Sequence, residues 1–182
     1  MSTASNKQFV IDAWKVFATR DADQVRALFM PDAEWMAPAG NATSRAIDGT
    51  HHLVGRDRIV RFLTEEFSTV FVDNVFLEFS GFYADGDTVI VEVRLQATLG
   101  HGGHYDNEYC FIFELEAGLI KRVREYMDTQ RGAAWFRSPS PADGKHHPGL
   151  SPSISSPAEA VDDMLGVSEK ESASHAESVS GA

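Results

Sequence analysis

Residues 105–128 read YDNEYCFIFELEAGLIKRVREYMD, and this stretch decides the fold. Its two halves, residues 105–115 and 119–128, alternate apolar and polar side chains, as half-buried strands do. Between them lies Glu116-Ala117-Gly118, a short turn with a glycine where a positive φ is expected. The stretch therefore predicts an antiparallel hairpin.

The register of this hairpin is predicted to place a carboxylic acid on an apolar face. If Leu115 faces Leu119, then Tyr109 lies opposite Glu125. The predicted inward set is Asn107, Tyr109, Phe111, Phe113, Val123, Glu125 and Met127. A lone carboxylate on such a face is costly unless it is paired or used. Glu125 is therefore the first candidate for function.

The rest of the chain up to residue 137 predicts helices followed by strands. Helices are expected from Ser5 or Asn6 to Thr19, from the cap Asp21 to Phe29, and over Arg56 to Val70; strands are expected over residues 33–37, 72–83 and 88–99, and residues 38–50 read as a loop. Three helices and an antiparallel meander predict an α+β fold in which one sheet curls over the helices.

Composition separates the last part of the 182-residue chain from the rest. Residues 138–182 contain eleven serines, five of the seven prolines and no aromatic residue, with seven acidic residues against two lysines. Such a segment buries too little apolar area to offset the entropy of ordering. We predict a folded domain over residues 1–137 and a disordered acidic tail over residues 138–182.

Charge and cysteine content narrow the classes of partner. The net charge is −11, and no basic stripe suits nucleic acid or an anionic membrane. No apolar run reaches the length of a membrane span, and the N-terminus lacks a secretory apolar region. The single cysteine, Cys110, rules out an internal disulfide and fits a cytoplasmic location.

Four segments carry a resemblance to a known superfamily. They are Trp14 and Phe17 in the first helix, residues 21–29 leading into Ala33-Glu34-Trp35, the run His52-Leu53-Val54-Gly55-Arg56, and Asp106-Asn107-Glu108-Tyr109 with Arg124-Glu125-Tyr126-Met127-Asp128. Together they resemble the nuclear transport factor 2-like superfamily, and within it the SnoaL-like and ketosteroid-isomerase-like proteins. The resemblance covers about residues 7–130.

This resemblance implies a cone-shaped roll, in which a curved sheet wraps around three N-terminal helices and leaves a conical pocket. It also implies a homodimer packed through the sheet, and chemistry without metal or organic cofactor. The superfamily includes isomerases, cyclases, dehydratases, epoxide hydrolases and binding proteins, so the fold alone does not give the function.

Three residues are candidates for catalysis. Burial raises the pKa of a carboxyl group such as that of Glu125 toward neutrality, which suits an acid–base role. A structural hydrogen bond from Glu125 would explain its position equally well. Tyr109 could donate a hydrogen bond to a developing oxyanion, or it could hold Glu125 in position without touching the substrate. His52 could rim the pocket, although a histidine in a loop is more often plain surface.

A second set of residues is expected to contact the substrate. It comprises Trp14, Phe17, Trp35, Phe62, Asn107, Phe111 and Met127. Aromatic residues at helical spacing also serve as ordinary core. No metal is expected, because no cluster of carboxylates or cysteines accompanies His101 and His104 to complete a ligand set.

Two of the superfamily's reactions fit this chain poorly. Epoxide hydrolases use an inward Arg-x-Asp pair, whereas here Val89, Val91, Val93 and Leu95 are expected inward, with Glu92 and Arg94 on the other face. The isomerase base would fall near residues 35–39, where no inward Asp is found and Glu34 is the nearest acid to that range. The predicted function is therefore a cofactor-independent isomerase or cyclase acting on a small hydrophobic carbonyl compound. The alternatives are a non-catalytic binding module or, less favoured, an epoxide hydrolase.

Overall fold

The computed structural model of the protein describes residues 2–137; the tail predicted over residues 138–182 lies outside the described residues. The helices are α1 (Thr3–Thr19), α2 (Ala22–Ala27), α3 (Ala42–Ala46), α4 (Arg56–Arg61), α5 (Phe67–Val70) and α6 (Thr129–Trp135), with a π-helical turn at Phe62–Glu66. The strands are β1 (Phe29–Met36), β2 (His52–Val54), β3 (Phe71–Asp85), β4 (Thr88–Leu99), β5 (His104–Glu116) and β6 (Leu119–Met127).

The six strands form one curved, unclosed sheet in the order β2-β1-β6-β5-β4-β3. β1 runs parallel to β6, and all other neighbours are antiparallel. Register shifts interrupt the pairing of β3 with β4 at three places, and such bulges bend a sheet. The N-terminal helices cover the concave face. The predicted α+β class and its helix-filled curved sheet are confirmed.

Strand β4 supplies the centre of the concave face. Val89, Val91, Val93 and Leu95 are buried, as predicted from their alternation. Glu92 is exposed on the opposite, convex face, where Arg94 makes a bidentate ion pair with Asp106 on β5. The apolar face is continuous, so each strand has a unique register against the helices.

Helices α1 and α2 both begin at a polar capping residue, but the cap of α1 is not the one predicted. Asp21 caps α2 as predicted, because its carboxylate accepts hydrogen bonds from the backbone of the first turn. The first helix begins earlier than predicted, since Ser2 rather than Ser5 or Asn6 is its cap. Asn6 is instead buried and donates to Asp87 at 2.8 Å, which ties α1 to the β3–β4 turn.

The predicted register of the β5–β6 hairpin is wrong by two residues. Glu116 pairs with Leu119, so the turn has two residues rather than three, and a register shift follows at Leu115. Glu125 consequently lies opposite Phe111, whereas Tyr109 lies opposite Met127. Because the shift is even, every side chain keeps its predicted face.

Three short elements were missed from the sequence. α3 lies inside the predicted loop, β2 pairs with β1 at the sheet edge, and α6 follows the last strand. Asp128 caps α6 by accepting hydrogen bonds from Gln130 and Arg131. Arg131 also contacts Asp106 at 2.6 Å, which holds α6 against the sheet. Elements of three to seven residues leave too weak a period to predict.

The hairpin turn gives a stability prediction. Ala117 and Gly118 have φ of 50° and 82°, the pattern of a turn that favours Asn-Gly or Gly-Gly. Ala117→Gly or Ala117→Asn should raise the free energy of unfolding by about 1 kcal/mol, because alanine is strained at positive φ. Urea denaturation measures this. Ala39→Gly, at a loop position whose own φ is not positive, is the control and should not stabilise the protein.

Candidate functional site

A cavity of about 260 Å³ lies between the concave face of the sheet and the helices. Its walls come from α1, β1, α3, the segment from α4 to α5, and the inward side chains of β3 to β6. The residues that line it are Trp14, Phe17, Ala18, Arg20, Trp35, Thr43, Phe62, Leu63, Phe67, Phe71, Val75, Leu77, Val93, Leu95, Tyr109, Phe111 and Glu125. This set is predominantly apolar, as in ligand pockets generally.

Glu125 is the carboxylic acid on the cavity wall. The indole N–H of Trp35 donates to its Oε2 at 2.7 Å. Among residues 2–137, no lysine or arginine forms an ion pair with this carboxylate. Burial raises the pKa of Glu125 from 4.5 to about 7, and the hydrogen bond from Trp35 opposes that rise only in part. The residue keeps some accessible surface because it faces the cavity.

The two oxygens of this carboxylate differ in their surroundings. Oε2 is held by Trp35, and no other hydrogen bond to Glu125 is found within the described part of the chain. Oε1 is therefore the oxygen left for a ligand or a water. Because Trp35 is fixed on β1 and Glu125 on the neighbouring β6, the parallel pairing of these strands positions the acid.

Behind the cavity wall, two tyrosines and an asparagine form a buried network. The hydroxyls of Tyr105 and Tyr109 lie 2.5 Å apart, and the side-chain amide of Asn107 donates to Tyr105 at 3.2 Å. Asn107 also donates to the backbone carbonyl of Asp128. Burial raises the pKa of Tyr109 well above its usual value, and the charge of Glu125 adds to this effect. Tyr109 thus stays protonated and remains a donor.

Aromatic rings form much of the remaining wall. Trp14 meets Phe17 and Phe111 edge to face, with centroids 5.7 and 5.2 Å apart. Trp35 meets Phe111 in the same way at 5.9 Å. Such contacts add to the stability that the buried area provides. The rings therefore act as core on one side and as cavity wall on the other.

The structure does not bring every predicted site residue to the cavity. His52 lies on β2 and contacts Glu34 at 2.8 Å, and Glu34 also contacts Arg122 at 3.4 Å. Hydrogen bonding from His52 lowers the pKa of Glu34, and neither residue lines the cavity. Asn107 is fully buried behind Tyr105. Met127 borders a surface groove instead.

The predicted residues that do line the cavity are Glu125, Tyr109, Trp14, Phe17, Trp35, Phe62 and Phe111. Sequence reasoning missed two polar lining residues, Arg20 and Thr43. Arg20 follows the apolar stripe of α1, and Thr43 sits in a segment read as loop, so neither had a periodic signal. Their positions depend on how the chain packs between α1 and β2.

Two further observations concern other classes of site. Within residues 2–137, no group of three or more His, Cys, Asp or Glu side chains is placed to hold a metal ion. None of the helices in that range has the length and apolar character that a membrane span requires.

Solved structures of known proteins share this fold. An NTF2-like protein of unknown function from Burkholderia pseudomallei has a TM-score of 0.64 and 20% identity, covering 76% of this chain and 100% of its own. TerC, co-crystallized with polyporic acid, has a TM-score of 0.61 and 22% identity, covering 71% of this chain and 96% of its own. At these identities the likeness shows the fold alone.

A third structure has the ketosteroid isomerase-like fold. It is a hypothetical protein from Catenulispora acidiphila in complex with trimethylamine, with a TM-score of 0.54 and 16% identity. It covers 69% of this chain and 90% of its own. A comparison with curated protein sequences finds no match.

The family model of the SnoaL-like domain matches residues 10–123, which is more than half of the chain. The match ends at Val123, so the place of Glu125 in the site depends on the geometry of β6 rather than on the family match. The matched span includes α2, strands β1 to β5 and most of α1, together with every residue that lines the cavity except Glu125. The chain belongs to the SnoaL-like domain family, within the NTF2-like fold.

Proposed function

We propose that the cavity is the active site of a cofactor-independent isomerase or cyclase that acts on a small hydrophobic carbonyl compound. The observation that carries the proposal is Glu125, an acid in an apolar cavity with one oxygen held by Trp35 and, among residues 2–137, no cationic partner. A carboxyl group whose pKa is about 7 can both accept and return a proton near neutral pH.

In this mechanism, Oε1 of Glu125 removes a proton from the carbon next to the substrate carbonyl. The negative charge moves to the carbonyl oxygen, which needs a hydrogen-bond donor. In an isomerisation, the proton then returns from Glu125 to another atom of the substrate. In an aldol-type ring closure, the carbanion attacks a second carbonyl carbon of the substrate, and Glu125 returns the proton to the alkoxide that forms. Because the cavity is apolar, it excludes bulk water from the reacting carbonyl group.

Tyr109 is the proposed donor to the carbonyl oxygen. The amide of Asn107 donates to the oxygen of Tyr105, so the Tyr105 proton is free to point at Tyr109. Tyr109 then directs its own proton into the cavity that it lines. In this role Asn107 and Tyr105 orient the donor, and they do not touch the substrate.

The competing function is a binding module that holds a small ligand without reacting it. What supports it is that relatives of this fold carry small molecules, polyporic acid in TerC and trimethylamine in the Catenulispora protein. The apolar walls and single acid would suit binding as well as catalysis. A variant of Glu125 separates the two functions.

Glu125→Gln should lower turnover by about 10²- to 10⁴-fold, because it removes the proton acceptor and keeps the size of the side chain. Turnover is measured on enone and polyketide-like substrates, and ligand affinity is measured alongside. Glu108→Gln, which alters an exposed acid on β5, is the matched control and should keep full activity. Unchanged turnover in Glu125→Gln would refute catalysis by this residue and favour the binding module.

The pKa of Glu125 also predicts how stability depends on pH. Below about 4.5 the group is neutral in both the folded and the unfolded chain. Between 4.5 and 7 the unfolded chain ionises while the folded protein stays neutral, so stability falls as pH rises through this window. The loss from this group is at most about 3.5 kcal/mol, from about 1.4 kcal/mol per pKa unit.

Glu125→Gln removes that loss, so the variant should be more stable than the native protein at pH 8 and nearly equal to it at pH 4.5. Urea denaturation at both pH values, again with Glu108→Gln as control, measures the difference. If the difference in free energy of unfolding between the native protein and the variant is the same at both pH values, the pKa of Glu125 is not raised in the folded state.

We further propose that two copies pack through the convex face of the sheet. This face carries Tyr126 and Tyr83, which are 50% and 54% exposed, beside the half-buried Ile112. Exposed aromatic side chains are typical of protein interfaces. Tyr126→Lys should shift sedimentation toward the monomer at micromolar concentration. Val72→Lys, at an exposed apolar position outside this patch, is the control and should not.

A further inference from the structure

Arg20 stands apart from the other residues that line the cavity. It is the one cation in that lining and, within the described part of the chain, the one lining residue that is exposed. An exposed side chain on a cavity wall marks the place where the cavity meets solvent. The cavity therefore opens beside the C-terminal end of α1, with Arg20 at its mouth.

The backbone does not explain why an arginine stands here. Arg20 is the C-cap of α1 with φ 55°, and its N–H donates to the carbonyl of Phe17. Glycine or asparagine is the favoured residue in this left-handed conformation, and a longer side chain adds strain. A cation does interact favourably with a helix C-terminus, but that effect is small at an exposed site.

The guanidinium group also has no acidic partner within residues 2–137, where no ion pair to Arg20 is found. Five donors thus remain available to a ligand. Guanidinium groups bind carboxylate, sulfonate and phosphate oxygens in a two-pronged geometry. The chain as a whole is acidic, with a net charge of −11, whereas the residue at the cavity mouth is positively charged.

We propose that the cavity binds amphipathic organic anions, with the apolar body inside and the anionic group against Arg20 at the mouth. The opposite orientation would place the anion beside Glu125, and two like charges in an apolar cavity repel each other strongly. Charge therefore sets the direction of binding and delivers the neutral end of the ligand to Glu125. This proposal rests on the proposed function for what happens at that neutral end.

Two fluorescent probes test the proposal without any need for turnover. Anilinonaphthalene sulfonate and N-phenylnaphthylamine share one aromatic body, and only the first carries an anionic group. Affinity for each is measured by titration with the native protein and with Arg20→Gln and Arg20→Lys. Lys7→Ala removes an exposed cation elsewhere on α1 and is the matched control.

Arg20→Gln should lower the affinity for the sulfonate probe about fivefold, which is the effect of losing a single exposed ion pair. The affinity for the neutral probe should stay within about twofold of the native value. Arg20→Lys should keep most of the native affinity for the sulfonate probe, because it keeps the positive charge. The two probes should displace each other from the native protein, because they occupy the same cavity. The preference of the native protein for the sulfonate probe over the neutral probe should decrease as salt is added.

Equal weakening of both probes by Arg20→Gln would overturn the proposal, because Arg20 would then act through packing. An unchanged affinity for the sulfonate probe, or an equal loss in Lys7→Ala, would overturn it as well. The outcome is independent of the turnover of Glu125→Gln, so failure of the proposed chemistry and failure of this binding mode are distinguishable.

Discussion

The contact between Trp14 and the concave face of the sheet separates the close-packed core of this protein from its cavity. The indole meets Phe79, Phe111 and Phe113 edge to face at 5.2 to 6.2 Å, and so joins α1 to strands β3 and β5. One side of this aromatic cluster is close-packed core. The other side lines the cavity, because α1 ends at Thr19 and the segment from α4 to α5 does not fill the space beyond it.

This arrangement explains how a carboxylic acid can lie in an apolar interior. A fully packed site around Glu125 would have to neutralise the acid permanently or supply a cation. The cavity instead leaves one oxygen accessible, while Trp35 stabilises the other. The pKa of about 7 reflects this balance, since burial raises it and the indole donor lowers it. The same geometry that makes Glu125 costly for stability makes it suited to proton transfer.

The polar groups of the chain are divided between the two faces of the sheet. On the convex face, Arg122 and Arg124 pair with Glu114, so their charges are balanced among neighbours in contact with solvent. On the concave face, the acid is isolated, and the cation Arg20 lies only at the mouth. Charges on the convex face therefore contribute little to stability, whereas each charge at the cavity affects what can bind there.

The sequence by itself determined every strand except the short β2, the buried faces of the long strands and the presence of one acid on the inner side. Those properties follow from the two-residue period, which an even shift of register leaves unchanged. It predicted Asp21 as a cap and the apolar face of β4 for the same local reasons. Only the tertiary structure decided that Glu125 faces Phe111 and Trp35 rather than Tyr109, because a two-residue turn and a bulge set the pairing. It alone removed His52 from the cavity and brought Arg20 to its mouth, since these positions depend on packing between segments distant in the chain.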